Sequence, residues 1–213
     1  MTSSYFNPSL GSLPLPVSGA NIKTVIENLS NALRERQILH IKDTNLRISA
    51  VLVPVFLKKG QYHLLFIQRT ERVKYHKGQI SFPGGAYEKN DGLILNTALR
   101  EAEEEIGLIP KDVQILGELD DVLTATSNYI ISPFVGLILY PYDFRPDKWE
   151  TEELLEIPIA DLQDKTCFSE GVTEYNGVEV ETYFYRHGER SIWGATAKIL
   201  KQFLEIYSIT SVP

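Results

Sequence analysis

Residues 84–108, GGAYEKNDGLILNTALREAEEEIGL, decide how the rest of the chain is read. The second half predicts one amphipathic helix over residues 93–106, with Asp91 as N-cap and Gly107 as the left-handed residue that ends it. At about 100° per residue, Leu95, Ala98, Leu99, Ala102 and Ile106 share the side that packs inward. Glu101, Glu104 and Glu105 share an adjoining arc of roughly 100°, and Glu103 points to solvent. Arg100 lies one turn from Glu104 and can brace it.

Such a helix is poorly built for stability alone. Like charges one turn apart cost roughly 0.2–0.5 kcal/mol per pair. The acids also crowd the C-terminal half, where the macrodipole already leaves partial negative charge. One reading is a solvated acidic face. The other is a seat for a hard divalent cation such as Mg²⁺, whose preferred ligands are carboxylate oxygens and whose charge reverses the sign of the interaction. Two glycines before the helix and an arginine against the first acid favour the cation.

FPGG (residues 82–85) followed by REAEEEIGL (residues 100–108) resembles the Nudix box, the metal-binding loop and helix of the Nudix hydrolases. Those enzymes cleave nucleoside diphosphates linked to a further group. The tail of the box is complete, with Arg100, Glu101, Ala102, Glu104, Glu105, Gly107 and Leu108. In the front half the gap between Gly85 and Arg100 is one residue longer than usual, and Asp91 stands roughly where the family has glutamate. The coenzyme A pyrophosphatase branch carries that longer gap.

Residues 64–85, LLFIQRTERVKYHKGQISFPGG, resemble a second signature of that branch. Leu65, Arg69, Gly78, Phe82, Pro83, Gly84 and Gly85 match it, whereas Phe66, Ile67, Thr70 and Lys74 depart. Lys74 keeps the charge of the usual arginine and loses its bidentate geometry. Segments 127–136 and 192–200 look like the same branch, and read as packing rather than chemistry. Independently of any resemblance, Arg69, Arg72, Lys74 and Lys77 form a basic cluster just before an acidic site, which suits a substrate with a remote phosphate.

The resemblance implies an α/β fold, a Nudix-type α/β/α sandwich with a mixed sheet, and Mg²⁺ or Mn²⁺ as cofactor. It makes Glu101, Glu104 and Glu105 the metal ligands, and Glu104 and Glu150 the catalytic carboxylates. Glu150, in WETEELLEIPI, is general base or extra ligand, against the alternative of a surface acid. Arg69, Lys74 and Phe82 are the expected substrate-binding residues. The expected reaction is hydrolysis of coenzyme A or its derivatives to adenosine 3′,5′-bisphosphate and 4′-phosphopantetheine. The alternatives are the same chemistry on ADP-ribose, dinucleotides or dinucleoside polyphosphates, or a non-catalytic nucleotide-binding regulator. A regulator has little reason to keep the acids of REAEEE.

At 213 residues, with 43% hydrophobic and 23% charged, the composition is that of a globular chain. The expected division is an arm and helix over 1–45 packed on a catalytic domain over 46–213. A net charge of −7, with no long basic stretch, argues against nucleic acid as partner and leaves a small nucleotide substrate. The single cysteine, Cys167, excludes an intrachain disulfide and fits a reducing compartment. No apolar run is long enough for a bilayer and residues 1–20 lack a signal-peptide pattern, so no membrane partner and a cytoplasmic location are expected. A homodimer is left open.

Along the chain, residues 1–19 read as a loose arm and residues 21–37 as an amphipathic helix. Strands are predicted over 48–57 and 62–68 around a turn at Gly60, with Pro54 marking an edge or bulge. Further strands fall over 80–82, 113–119, 130–139 and 178–186, with a polar loop at 123–128 and a loop over the site at 141–148. Residues 151–157 and 159–162 read as short connectors. A closing helix over 193–207 carries Trp193, Leu200, Phe203, Leu204 and Tyr207 on one stripe. The four histidines lack paired ligand spacing, and no P-loop or nucleophile elbow is present.

Overall fold

The structure is a computed structural model and describes residues 19–124, 128–175 and 177–211. Helix α1 (Gly19–Glu35) leads into β1 (Arg47–Lys58), β2 (Gln61–Arg69), β3 (Ile80–Ser81) and β4 (Gly84–Ala86). Helix α2 (Ile94–Ile106) follows, then β5 (Val113–Glu118), β6 (Val122–Leu123), β7 (Tyr129–Ile138) and β8 (Thr151–Pro158). The chain ends with α3 (Ile159–Leu162), β9 (Phe168–Tyr175), β10 (Val178–His187), β11 (Arg190–Trp193) and α4 (Gly194–Thr210).

Eight strands form one mixed sheet in the order β3-β2-β1-β7-β5, with β8 along the other side of β2, β4 beside β1 and β6 beside β7. Strands β1 and β7 run parallel from Arg47↔Tyr129 to Phe56↔Ile138. Strands β9, β10 and β11 make a separate three-stranded sheet. The two-residue period of β1 divides the core. Ala50, Leu52 and Phe56 face α2, while Val53 and Val55 face α1 and α4. On β2, Leu65 and Ile67 face α2, and Leu64 and Phe66 face the other side. The result is the expected α/β/α sandwich.

Helix α1 lies close over β5. A side-chain carbon at Gly117 would sit 2.6 Å from the Cβ of Leu33. The β5 register shifts between Ile115 and Gly117. The carbonyl of Leu116 in that irregularity accepts hydrogen bonds from Ser30 Oγ (3.1 Å) and Arg34 Nε (3.2 Å), so the break in the ladder leaves it paired.

Several expectations change. Pro54 marks no edge, because β1 has neighbours on both sides. The Leu52 N–H donates to Pro83 O, so by alternation the nitrogen of Pro54 faces the fork where β4 pairing ends at Val51 and β2 pairing begins at Val55. Residues 151–158 are a full strand against β2. Trp193 precedes α4, at the end of β11, and is half exposed. The polar loop at 123–128 lies partly outside the described residues, since 125–127 are not among them, and of the arm at 1–19 only Gly19 is described, as the start of α1.

Candidate active site

Helix α2 approaches the sheet through Ala98 and Ala102, which are fully buried and short enough to bring the helix backbone near β1. Its N-cap is Leu93, not Asp91, and Gly107 at φ 69° closes it as expected, with its N–H bonded to Glu103 O at 2.9 Å. Strand β4 runs against the acidic face of α2. The Gly84 N–H donates to Glu105 Oε2 at 2.9 Å. A side-chain carbon at Gly85 would fall 2.4 Å from the carboxyl carbon of Glu101, so glycine leaves that carboxylate its place. At Gly84 the same atom would fall 2.3 Å from Ala50 O.

Two arginines bind the acids together. Arg69 follows Leu65 and Ile67 onto the α2 face of β2. Its Nη1 donates to Glu105 Oε1 at 2.9 Å and its Nη2 to Glu150 Oε2 at 3.2 Å, while its buried Nε has no partner. Arg100 donates through Nε to Asp91 Oδ1 at 2.8 Å and through Nη2 to Asp91 Oδ2 at 3.2 Å. Its Nη1 reaches Glu101 Oε1 at 2.9 Å and Glu104 Oε2 at 3.1 Å. Asp91 thus supplies a carboxylate brace for Arg100.

Burial and crowding set the protonation of the cluster. Glu105, 3% exposed, is pushed up to about 7, chiefly by desolvation and further by the charges of Glu101 and Glu150. The Gly84 N–H and Arg69 act against that rise. Glu101 is also raised by burial, with Glu104 and Glu150 adding repulsion and Arg100 opposing it. The Arg100 guanidinium holds Asp91 well below the usual carboxylate range.

The structure therefore brings Glu101, Glu104, Glu105, Glu150 and Arg69 together. Glu103 is exposed, as expected. Lys74 stands apart from the acids among the described contacts and lies 5.1 Å over the ring of Tyr75. Phe82 is corrected as a substrate-binding residue. It is 2% exposed, stacks on Phe66 at 4.5 Å, and belongs to the core on the opposite face of the sheet from α2. The expectations also missed Trp149, an exposed aromatic next to Glu150 whose one sequence signal was its place in a polar loop.

Among the described residues, no three carboxylate, imidazole or thiol groups converge as a ready-made metal cage. Arg69 and Arg100 stand between the carboxylates. The donor set nevertheless fits a hard divalent cation. Four carboxylates from α2 and the turn before β8 repel one another, and the two most buried have raised pKa values. Oxygen donors of this kind suit Mg²⁺ or Mn²⁺ better than softer metals.

The NUDIX domain family model matches residues 46–167. The uncharacterized Nudix hydrolase NudL of Photorhabdus laumondii is 33% identical over 165 residues, 78% of this chain and 87% of that one. The protein of the same description from Pectobacterium atrosepticum is 37% identical over 163 residues, 73% and 80% of the two chains. The crystal structure of a MutT/nudix family protein from Enterococcus faecalis superposes with a TM-score of 0.53 at 14% identity, over 90% of this chain and 75% of that one. Fold and site define an α/β/α sandwich with an acidic helix laid against a glycine strand. The chain belongs to the Nudix family and is a Nudix hydrolase. Enzymes of this family generally need divalent metal ions. No helix among the described residues is long and apolar enough to cross a membrane.

Proposed function

We propose that this hydrolase cuts the pyrophosphate bond of coenzyme A and its derivatives, releasing adenosine 3′,5′-bisphosphate and 4′-phosphopantetheine. The observation that carries the reading is the run from Arg69 to Lys77. Arg69 is tied into the acid cluster, and the exposed Arg72, Lys74 and Lys77 continue from it along the loop after β2. A phosphate remote from the scissile bond, as on the adenosine ribose of coenzyme A, meets its own cations there. The likeness of residues 64–85 to the coenzyme A pyrophosphatase signature supports the same choice.

In this reading Glu101, Glu104 and Glu105 hold Mg²⁺ or Mn²⁺. The divalent ion supplies charge neutralisation at the pyrophosphate and a more acidic water. Arg100, anchored on Asp91, fixes the carboxylates of Glu101 and Glu104. Glu150 is about half exposed beside Arg69 and takes the proton as general base, or serves as a further ligand. Arg69 holds Glu105 and Glu150 in fixed relation and limits the repulsion between them.

The test is a panel of coenzyme A, 3′-dephospho-coenzyme A, ADP-ribose and dinucleoside polyphosphates, with and without Mg²⁺, with products identified by mass spectrometry. Coenzyme A should give the highest kcat/KM, with turnover only in the presence of metal. Faster turnover of ADP-ribose under the same conditions would replace coenzyme A as substrate and leave the hydrolase.

A further inference from the structure

We infer that the exposed indole of Trp149, with Arg72 over it, is the platform on which the aromatic base of the nucleotide substrate stacks. The inference rests on the nucleotide-hydrolase reading for its substrate class. Trp149 is 63% exposed, an uncommon state for so large an apolar ring. The guanidinium carbon of Arg72 lies 6.0 Å from the ring centroid. With the cation over the ring and most of the residue still in water, an open face is left for a second planar group. Stacking needs only a π-face, so the platform accepts a base without reading its edge.

Its position ties it to the chemistry. Trp149 immediately precedes Glu150, whose carboxylate shares Arg69 with Glu105. The backbone that carries it is fastened on two sides. Thr70 Oγ1 donates to Trp149 O at 2.7 Å and Thr70 N to Glu150 O at 2.9 Å, which locks the turn to the end of β2. Asp147 N and Thr151 Oγ1 both donate to Glu105 O, at 3.0 and 3.2 Å, which locks it to the last turn of α2. A second cation–ring pair, Lys74 over the exposed Tyr75, lies on the same loop as Arg72. Alternating exposed cations and rings beside a phosphate-cleaving centre are what a base with phosphates on its ribose requires.

The chain has two tryptophans, so Trp193→Phe leaves Trp149 as the sole indole fluorophore. In that protein, adenosine 3′,5′-bisphosphate should quench the emission saturably, and ribose 5-phosphate, which lacks a base, should not. Trp149→Ala should raise KM for coenzyme A roughly five- to a hundred-fold with little change in kcat, and Trp149→Phe should restore most of the loss. Equal quenching by both probes, or quenching that never saturates, overturns the platform. So does an unchanged KM in Trp149→Ala. Saturable quenching by the bisphosphate in a protein that does not turn over coenzyme A would support the platform and defeat the coenzyme A reading instead.

Discussion

Arg100 grips Asp91 through two parallel hydrogen bonds, Nε to Oδ1 at 2.8 Å and Nη2 to Oδ2 at 3.2 Å, across the turn that leads into α2. Asp91 also accepts from Thr97 Oγ1 and from the Glu88 N–H, so nearly all of its acceptor capacity is used. The pair fixes the guanidinium that holds Glu101 and Glu104, so a residue outside the proposed ligand set controls the geometry of two of its members.

Asp91→Asn should therefore lower stability by about 1–3 kcal/mol in a urea melt, because it removes the charged, two-pronged partner of a partly buried guanidinium. The folded pKa of Asp91 lies below the unfolded one, so its contribution is present above the usual aspartate range and is lost as pH falls through the folded value. The wild type should lose its advantage over the variant in acid. An advantage that persists unchanged to low pH would show that the pair is only a packing contact.

Glu105 has the opposite sign. Its folded pKa of about 7 lies above the ordinary glutamate value of 4.5, so metal-free protein is most stable with Glu105 protonated. That stability is complete below about pH 4.5 and is lost as pH rises through about 7, on the order of 3 kcal/mol at the far side. In EDTA the Tm should fall between pH 5 and 8, by a margin that Glu105→Gln removes. Parallel profiles for the two proteins would contradict the assignment.

The two glycines of β4 should fail in different ways. A methyl at Gly85 meets the end of the Glu101 side chain, which can swing aside, so Gly85→Ala should fold near normally and lose at least about ten-fold in kcat. A methyl at Gly84 meets Ala50 O and Val51 Cα, which are backbone and cannot yield, so Gly84→Ala should lose about 1–3 kcal/mol or more. Melts and kinetics on both variants separate the cases, and equal loss of stability would contradict them.

Because Arg69 binds Glu105 and Glu150 directly, its role differs from the remote phosphate contact that the basic cluster suggested. Arg69→Ala should lower kcat as well as raise KM, and Arg69→Lys should rescue little, since one ammonium lacks the guanidinium fork that spans the two carboxylates. Lys74→Ala should raise KM alone. A pure KM effect in Arg69→Ala would restore the remote-contact role.

Much of this was legible in the sequence where one period dominates. The 3.6-residue pattern of residues 93–106 placed the acids on one arc, and the β-rich apolar runs of 48–57 and 62–68 around Gly60 marked the hairpin that holds them. Legibility failed where tertiary partners override local preference. Strand β8, TEELLEIP, is polar and weakly alternating, and forms because β2 offers it a complete ladder. Strand β9, FSEGVTEY, carries Gly and two Glu and is held by β10. Asp91 looked like a cap because no local signal revealed a guanidinium nine positions on. Phe82 packs on Phe66 in the core on the far side of the sheet from α2, and no local pattern reveals that partner.

The most direct test of the metal site is a set of thermal melts of the wild type, Glu101→Gln, Glu103→Gln and Glu105→Gln, first in EDTA and then with Mn²⁺. At a concentration about 100-fold above Kd, the wild type and Glu103→Gln should gain about 2.7 kcal/mol, a rise of roughly 5–10 °C in Tm. Glu101→Gln and Glu105→Gln should gain little, although in EDTA they should melt slightly above the wild type through relief of like-charge repulsion. Equal metal-induced shifts in all four proteins would contradict Glu101 and Glu105 as ligands.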